Sequence, residues 1–376
     1  MYSVNNRAQP LKLLLLFFAT LAAGILWQRE QLAALALVRI DPVPETRTLV
    51  VEERYAAAAD YLGFFMDYDY VQQDPAAQAL FAQIEAVRAD PAYQADKLAE
   101  GLIQGTSDEV IGQAAGVASD FFVIGDLRDL LHQGRQWAKD EEVDEVITAL
   151  AAIGLAASAA QAASAVTTVG TVGVAAPSVA AATAVKGGVS LLKLARKANK
   201  LPPWLVQASR EAAEQVTRGK TLDGVQDLFV DLYRLARHKG GVALLGTTTD
   251  ALSLKRLARA TDTFGDQTVT LYRLGGDAFL ATAQQAAKLG AATIKLAATY
   301  GQEGLRLLDR IGTLKFVKYT ARGGKLLYKG DVLRLLARLL AELPPWVLYL
   351  LVAAGALVWM PWHGIGRKPA LAWLRP

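Results

Sequence analysis

The chain has 376 residues, of which 53% are hydrophobic and 20% charged, and its formal net charge is +4. It contains no cysteine, which excludes disulfide bonds, cysteine-based metal sites and thiol nucleophiles. This length allows one large domain or two ordinary domains in addition to membrane anchors. The excess of hydrophobic residues over an ordinary soluble domain lies in residues 11–27, 146–185 and 343–362.

The first predicted element is an apolar helix near the amino terminus. Residues 13–28 carry no charge, Lys12 precedes them, and Trp27 stands near their end. This length is just below the ~17–25 residues of a spanning helix, but Lys12 can extend towards water and Trp27 suits a membrane interface. No small-x-small cleavage site precedes a polar segment. We therefore predict an uncleaved anchor within residues 1–40, with a cleaved signal peptide as the alternative.

An acidic helical region is predicted for residues 41–145, which hold 22 acidic and 7 basic residues. Helices are expected at residues 52–67, 74–89 and 90–104 from their apolar periodicity. The second and third open with Asp-Pro, a pair that caps a helix and then fills its first position without losing a hydrogen bond.

The sequence FFVIGDLRD at residues 121–129 contains a candidate polar contact site. Asp126 and Asp129 are three residues apart and share one helix face, with Arg128 beside them. The alternative interpretation is a helix amino terminus at which the two acids complement the helix dipole.

Residues 146–185 carry no charge and include sixteen Ala and three Gly. We predict a helical hairpin that turns near Gly170, Gly173 and Pro177. Small side chains contribute little transfer energy but permit close helix packing. A hairpin buried inside the domain is therefore favoured, while a membrane hairpin and a single membrane span are the alternatives.

Several of these features occur together in a pattern that resembles uncharacterised bacterial envelope proteins. They are the FFVIGDLRD sequence, the acidic residues 141–145, the Ala/Gly-rich segment and the sequence GGVSLLK at residues 187–193. The likeness covers about residues 116–201, and it extends to the helical segments that precede toxin domains in large secreted bacterial proteins. The resemblance implies a bacterial, membrane-linked setting, and it implies no activity and no site residues.

A basic helical region is predicted for residues 186–342, and residues 186–338 hold 26 basic and 12 acidic residues. Only residues 268–273, with the sequence TVTLYR, suggest a strand. The sequence Leu-Pro-Pro-Trp occurs at residues 201–204 and again at 343–346, where Pro is expected to open a helix. Adjacent glycines, which end helices readily, are expected to separate the helices at residues 187–188, 240–241, 275–276 and 323–324.

A second transmembrane helix is predicted within residues 343–376, because residues 343–366 carry no formal charge. Trp346 lies at one end of this segment, and Trp359 and Trp362 lie at the other, as expected for the two membrane interfaces. Both chain ends are basic, which predicts that both termini are cytoplasmic and that the main domain is periplasmic, at a bacterial inner membrane. A single crossing by residues 146–185 is the competing topology.

The sequence therefore predicts an all-α, membrane-anchored protein that is not an enzyme. The three histidines are far apart, and neither a phosphate-binding loop nor a nucleophile elbow occurs, so we predict no metal, cofactor or small-molecule substrate. The basic residues alternate with Leu and Ala rather than with stacking aromatics, so no nucleic acid is predicted.

The predicted role is an envelope scaffold or assembly partner in contact with the lipid bilayer. It would bind a protein partner, or other copies of itself, through its acidic residues 41–145 and basic residues 186–338. A pore-forming effector whose residues 146–185 insert into a bilayer is the main alternative, and an envelope hydrolase is the third hypothesis.

Overall fold

The computed structural model describes residues 9–104, 144–167, 176–218, 226–326, 339–340 and 342–359. Within these ranges the regular structure is helical and contains no strand, which confirms the all-α prediction. The chain divides into two compact units. The terminal unit consists of Met1–Val38 and Leu307–Pro376, and the central unit consists of Arg39–Arg306.

The helices of the amino-terminal third are α1 (Gln9–Ala36), α2 (Val43–Val51), α3 (Tyr55–Met66), α4 (Asp69–Gln72), α5 (Pro75–Arg88) and α6 (Pro91–Gln104). The three helices expected between residues 52 and 104 are confirmed, within three residues at each end. Asp74 caps α5 as predicted, because its carboxylate accepts a hydrogen bond of 2.9 Å from the amide of Ala76.

The remaining helices are α7 (Glu145–Thr167), α8 (Ala176–Lys197), α9 (Pro203–Thr217), α10 (Gln226–Ala236), α11 (Gly241–Leu245), α12 (Ala251–Phe264), α13 (Thr268–Ala283), α14 (Ala286–Leu289), α15 (Ala291–Ala298), α16 (Gly301–Leu326) and α17 (Pro345–Trp359). Both Leu-Pro-Pro-Trp sequences open a helix, because α9 begins at Pro203 and α17 begins at Pro345.

The centre of the central unit is α8, which packs against α7 on one side and α10 on the other. From Ala182 to Ala195 its residues are buried on nearly every face, including Lys193. A helix that is apolar nearly all round must be enclosed by other helices. The described portions of residues 146–185 therefore lie side by side within this unit, where α7 also packs against α9.

The glycine pair at residues 187–188 was predicted to end a helix, and this prediction is wrong. Both residues lie inside α8, at its contact with α10. A Cβ added to Gly188 would lie 2.9 Å from a ring carbon of Phe229 and 3.0 Å from the backbone oxygen of the same residue. These glycines therefore allow close helix packing, a role that a local sequence pattern cannot distinguish from a helix end.

The other glycine pairs behave differently from one another. Gly240 has φ +70° and precedes α11, so this pair does separate two helices. Gly276 has φ +51° and a non-helical ψ, and two helical segments of α13 meet at a kink there, so this pair also interrupts a helix. Residues 323–324 lie inside α16, so the predicted break is wrong there, since a glycine with helical backbone angles weakens a helix without interrupting it.

The strand suggested by residues 268–273 is also wrong, because these residues form the first part of α13. Thr268 is buried, and its hydroxyl donates a hydrogen bond of 2.7 Å to the backbone oxygen of Gly265. Leu271 is buried as well, in a helix that packs against α12 and α15. Packing of the helix outweighs the weak intrinsic preference of threonine and valine for strands.

Replacing Gly188 by Ala should lower the stability of the central unit. The added methyl group meets a backbone atom that cannot turn away, and overpacking of this kind costs about 1–3 kcal/mol. That cost exceeds the roughly 1 kcal/mol by which Ala favours a helix over Gly. The midpoint of thermal unfolding of the purified full chain should therefore fall.

The matched control is Gly63→Ala in α3, where the new Cβ would lie 3.7 Å from a ring carbon of Phe81, an ordinary contact. This variant should unfold at the same or a higher temperature than the parent chain. Equal stabilisation by both substitutions would contradict the close α8–α10 contact.

Candidate membrane anchor and charge interface

Helix α1 contains the one segment, among the described residues, that is long and apolar enough to cross a membrane. This segment, Lys12–Ala36, has 25 residues, and its most apolar stretch of 18 residues has a mean hydropathy of 1.4. At 1.5 Å per residue the whole segment extends about 38 Å, and its uncharged part, residues 13–28, extends about 24 Å, close to the ~30 Å hydrocarbon core of a bilayer. The same length and composition also fit a signal sequence.

Helix α17 packs against α1 within the terminal unit. Ala22, Ile25 and Leu348 form the buried centre of this contact. A Cβ added to Gly355 would overlap the Cβ of Ala19, so the two backbones approach closely at this point. Small residues at the closest approach are typical of helix pairs in membranes.

The two helices run antiparallel. Ala19 contacts Gly355, whereas Ile25, further along α1, packs with Leu348, which comes earlier in α17. Trp27 follows Ala19 by eight residues and Trp346 precedes Gly355 by nine, so both side chains lie at the same level along the pair.

The predicted interface residues can now be placed on this pair. Trp27 is 90% exposed, Trp346 is exposed, and Lys12 is exposed near the other end of α1. Trp359 is the last residue of α17, and Trp362 lies outside the described residues. The described α17 has 15 residues, or about 22 Å, which is shorter than the hydrocarbon core.

Ion pairs join the acidic region to the basic region inside the central unit. The described pairs are Asp144 with Arg196 at 2.8 Å, Glu145 with Arg210 at 2.9 Å, Asp60 with Lys239 at 4.0 Å, and Glu45 with Arg273. All four cross between residues 41–145 and residues 186–338. The oppositely charged regions therefore contact each other within one chain.

Asp144 has two roles at this interface. Its Oδ1 accepts hydrogen bonds from the amides of Val146, at 3.0 Å, and Ile147, at 3.2 Å, and so caps α7. Its Oδ2 accepts a hydrogen bond from Nε of Arg196, which belongs to α8. One carboxylate thus fixes the start of α7 and its position beside α8.

At the first residue of the central unit, the side chain of Arg39 packs between two tyrosine rings. The guanidinium of Arg39 lies 4.7 Å from the ring centre of Tyr70 and 5.5 Å from that of Tyr300, and its Nε donates a hydrogen bond of 3.2 Å to the Tyr300 hydroxyl. The Tyr70 hydroxyl donates to the backbone oxygen of Ile40 at 3.0 Å, and burial raises the pKa of Tyr70. Arg39 and Tyr300 are 261 positions apart, so no local pattern predicts this contact.

Asp231 is a buried carboxylate in the contact between α10 and α12. It accepts a hydrogen bond of 2.8 Å from Arg234, which also pairs with Asp262 at 3.3 Å. Burial raises the pKa of Asp231, while the charge of Arg234 acts in the opposite direction. The arrangement joins two helices, and the described residues include no group of three His, Asp or Glu that could hold a metal ion.

The other candidate residues are not brought together by the described structure. Asp126, Arg128 and Asp129 lie outside the described residues, as do Gly170 and Gly173. In the described chain, Pro177 is the second residue of α8. No family model matches the chain, and no curated protein or solved structure was found to be similar to it.

The antiparallel pairing can be tested by cross-linking, because the chain has no cysteine of its own. With Trp27→Cys and Trp346→Cys together, a short bifunctional maleimide should link the two helices. With Trp27→Cys and Val358→Cys the reagent should fail, since position 358 lies about 18 Å further along α17. Efficient linkage of the second pair and not the first would show that the helices run in parallel.

The two roles of Asp144 can be separated by substitution. Asp144→Ala removes the cap and the ion pair, so the free energy of unfolding should fall by about 1–2 kcal/mol. Asp144→Asn keeps an effective cap, and Arg196→Ala removes only the ion pair, so each should cost less than about 1 kcal/mol. Chemical denaturation measures all three, and an equal loss for Asn and Ala at position 144 would rule out the capping role.

Proposed function

We propose that this chain is a non-enzymatic helical protein that is held in a bacterial inner membrane by both ends and acts as an envelope scaffold or assembly partner. The observation that carries the proposal is the antiparallel pair of α1 and α17, with small residues where the helices meet and large apolar side chains on the outside. Leu21 and Leu350, for example, are both exposed on this pair. Contiguous exposed apolar surface of this kind is rare in water and ordinary in lipid.

The antiparallel arrangement supports a topology with both termini on one side. No acidic residue precedes Glu30 or follows Glu342, whereas both terminal segments contain Lys or Arg. Basic flanks remain on the cytoplasmic side of a membrane. In this proposal the central unit is periplasmic, and the second span lies within the uncharged residues 343–366.

The charge distribution supports a scaffold role over a catalytic one. Other exposed charges, such as Asp67 in the acidic region and Lys288 in the basic region, can pair between neighbouring chains, because each chain carries both regions. Copies restricted to one membrane face meet at high effective concentration, which favours such head-to-tail association. The proposed partners are therefore the lipid bilayer and a second copy or another protein of complementary charge.

Labelling of single cysteines tests the topology. Arg47→Cys lies on the exposed surface of α2, while Asn6→Cys and Lys368→Cys lie in the terminal segments. In intact sphaeroplasts a membrane-impermeant maleimide should label position 47 and should reach positions 6 and 368 only after permeabilisation.

Two outcomes would contradict the proposal. Labelling of position 368 in intact sphaeroplasts would place the C-terminal segment in the periplasm and remove the second span. A mature chain that lacks residue 6 would show that α1 is a cleaved signal sequence.

A further inference from the structure

Beyond its kink, helix α16 presents a second surface suited to a membrane. Gly312 has φ +76° and non-helical ψ, which separates residues 313–326 from the preceding part of the helix. In this distal segment Leu314 is 88% exposed and Val317 is 42% exposed, while Phe316 is fully buried. One face of the segment is thus buried, and apolar side chains on the other face are exposed.

The uncovered face combines apolar and basic residues. Leu314, Val317, Lys318 and Ala321 follow one another at spacings of three, one and three, so they share one side of the helix, and all four are exposed. Lysine beside exposed leucine and valine is the composition of a helix that lies in the plane of a membrane surface.

An ion pair sets the height of this segment relative to α1. Nζ of Lys315 donates a hydrogen bond of 2.7 Å to a carboxylate oxygen of Glu30, and this contact raises the pKa of Lys315. Glu30 follows Trp27 by three residues, or about 4.5 Å along α1. If Trp27 marks the edge of the hydrocarbon core, Lys315 lies within the headgroup layer, which is roughly 5–7 Å thick on each side.

We propose that residues 313–321 form an interfacial segment that inserts Leu314 and Val317 into the membrane surface and binds anionic lipid headgroups through Lys318. The Glu30–Lys315 pair acts as the positioning contact. This inference rests on the proposed function, because it requires α1 to be embedded in the bilayer. The partner is a lipid surface, selected by the lysine charge and by the contact of this segment with α1 through the Glu30–Lys315 pair.

The test uses the full chain reconstituted in vesicles, with an environment-sensitive fluorophore on Ala321→Cys and nitroxide-labelled lipids as quenchers. Quenching should be stronger in an equal mixture of phosphatidylcholine and phosphatidylglycerol than in phosphatidylcholine alone. Lys318→Gln should shift the equilibrium between inserted and withdrawn segments about fivefold in the anionic vesicles and should have little effect in the neutral ones. Leu314→Gln should reduce quenching in both.

Matched controls separate this inference from the proposed function. Lys288→Gln removes an exposed lysine from the central unit and should leave the quenching at position 321 unchanged. A fluorophore on Leu21→Cys reports the depth of α1 itself. Strong quenching at position 21 without quenching at position 321 would overturn the interfacial segment alone, whereas no quenching at either position would overturn the membrane anchor as well. A label at position 321 that both lipid and aqueous quenchers fail to reach would show that protein covers this face and would also overturn the inference.

Discussion

The close approach of Ala19 and Gly355 is the contact on which the proposed arrangement depends. Because neither position carries more than a methyl group, α1 and α17 can pack backbone to backbone, and their larger side chains are directed outward. The antiparallel order that follows places the start of α1 and the end of α17 at the same end of the helix pair. In the proposed function, a bilayer supplies the environment of the outward leucines.

A second constraint acts within the central unit, where the chain carries blocks of opposite charge. The uncharged residues 146–185 separate these blocks along the chain, and the packing of α7 against α8 brings Asp144 and Arg196 together. Individually such exposed pairs contribute little stability, so burial of α8 is the main source of cohesion. The ion pairs instead select how the acidic region lies against the basic one.

Sequence patterns predicted what depends on neighbouring residues and missed what depends on distant ones. The Asp-Pro and Leu-Pro-Pro-Trp starts were confirmed because capping and proline geometry act within one turn. The glycines at residues 187–188 were misinterpreted because their partner, Phe229, is some forty positions away. For the same reason, no local sequence pattern predicts the contact of Arg39 with Tyr300 or the ion pair between Glu30 and Lys315. Tertiary packing decides these positions, and one sequence does not display it.

The membrane anchor is tested most directly by the surroundings of its outward leucines. Spin labels on single cysteines at Leu21 and Leu350 report collision with oxygen, which concentrates in lipid, and with a water-soluble nickel complex. The matched control is Leu252 in the central unit. It is 55% exposed, compared with 48% for Leu21 and 59% for Leu350. In vesicles, positions 21 and 350 should collide with oxygen and not with nickel, while position 252 should collide with nickel. Equal access of nickel to all three positions would contradict an anchor built from α1 and α17.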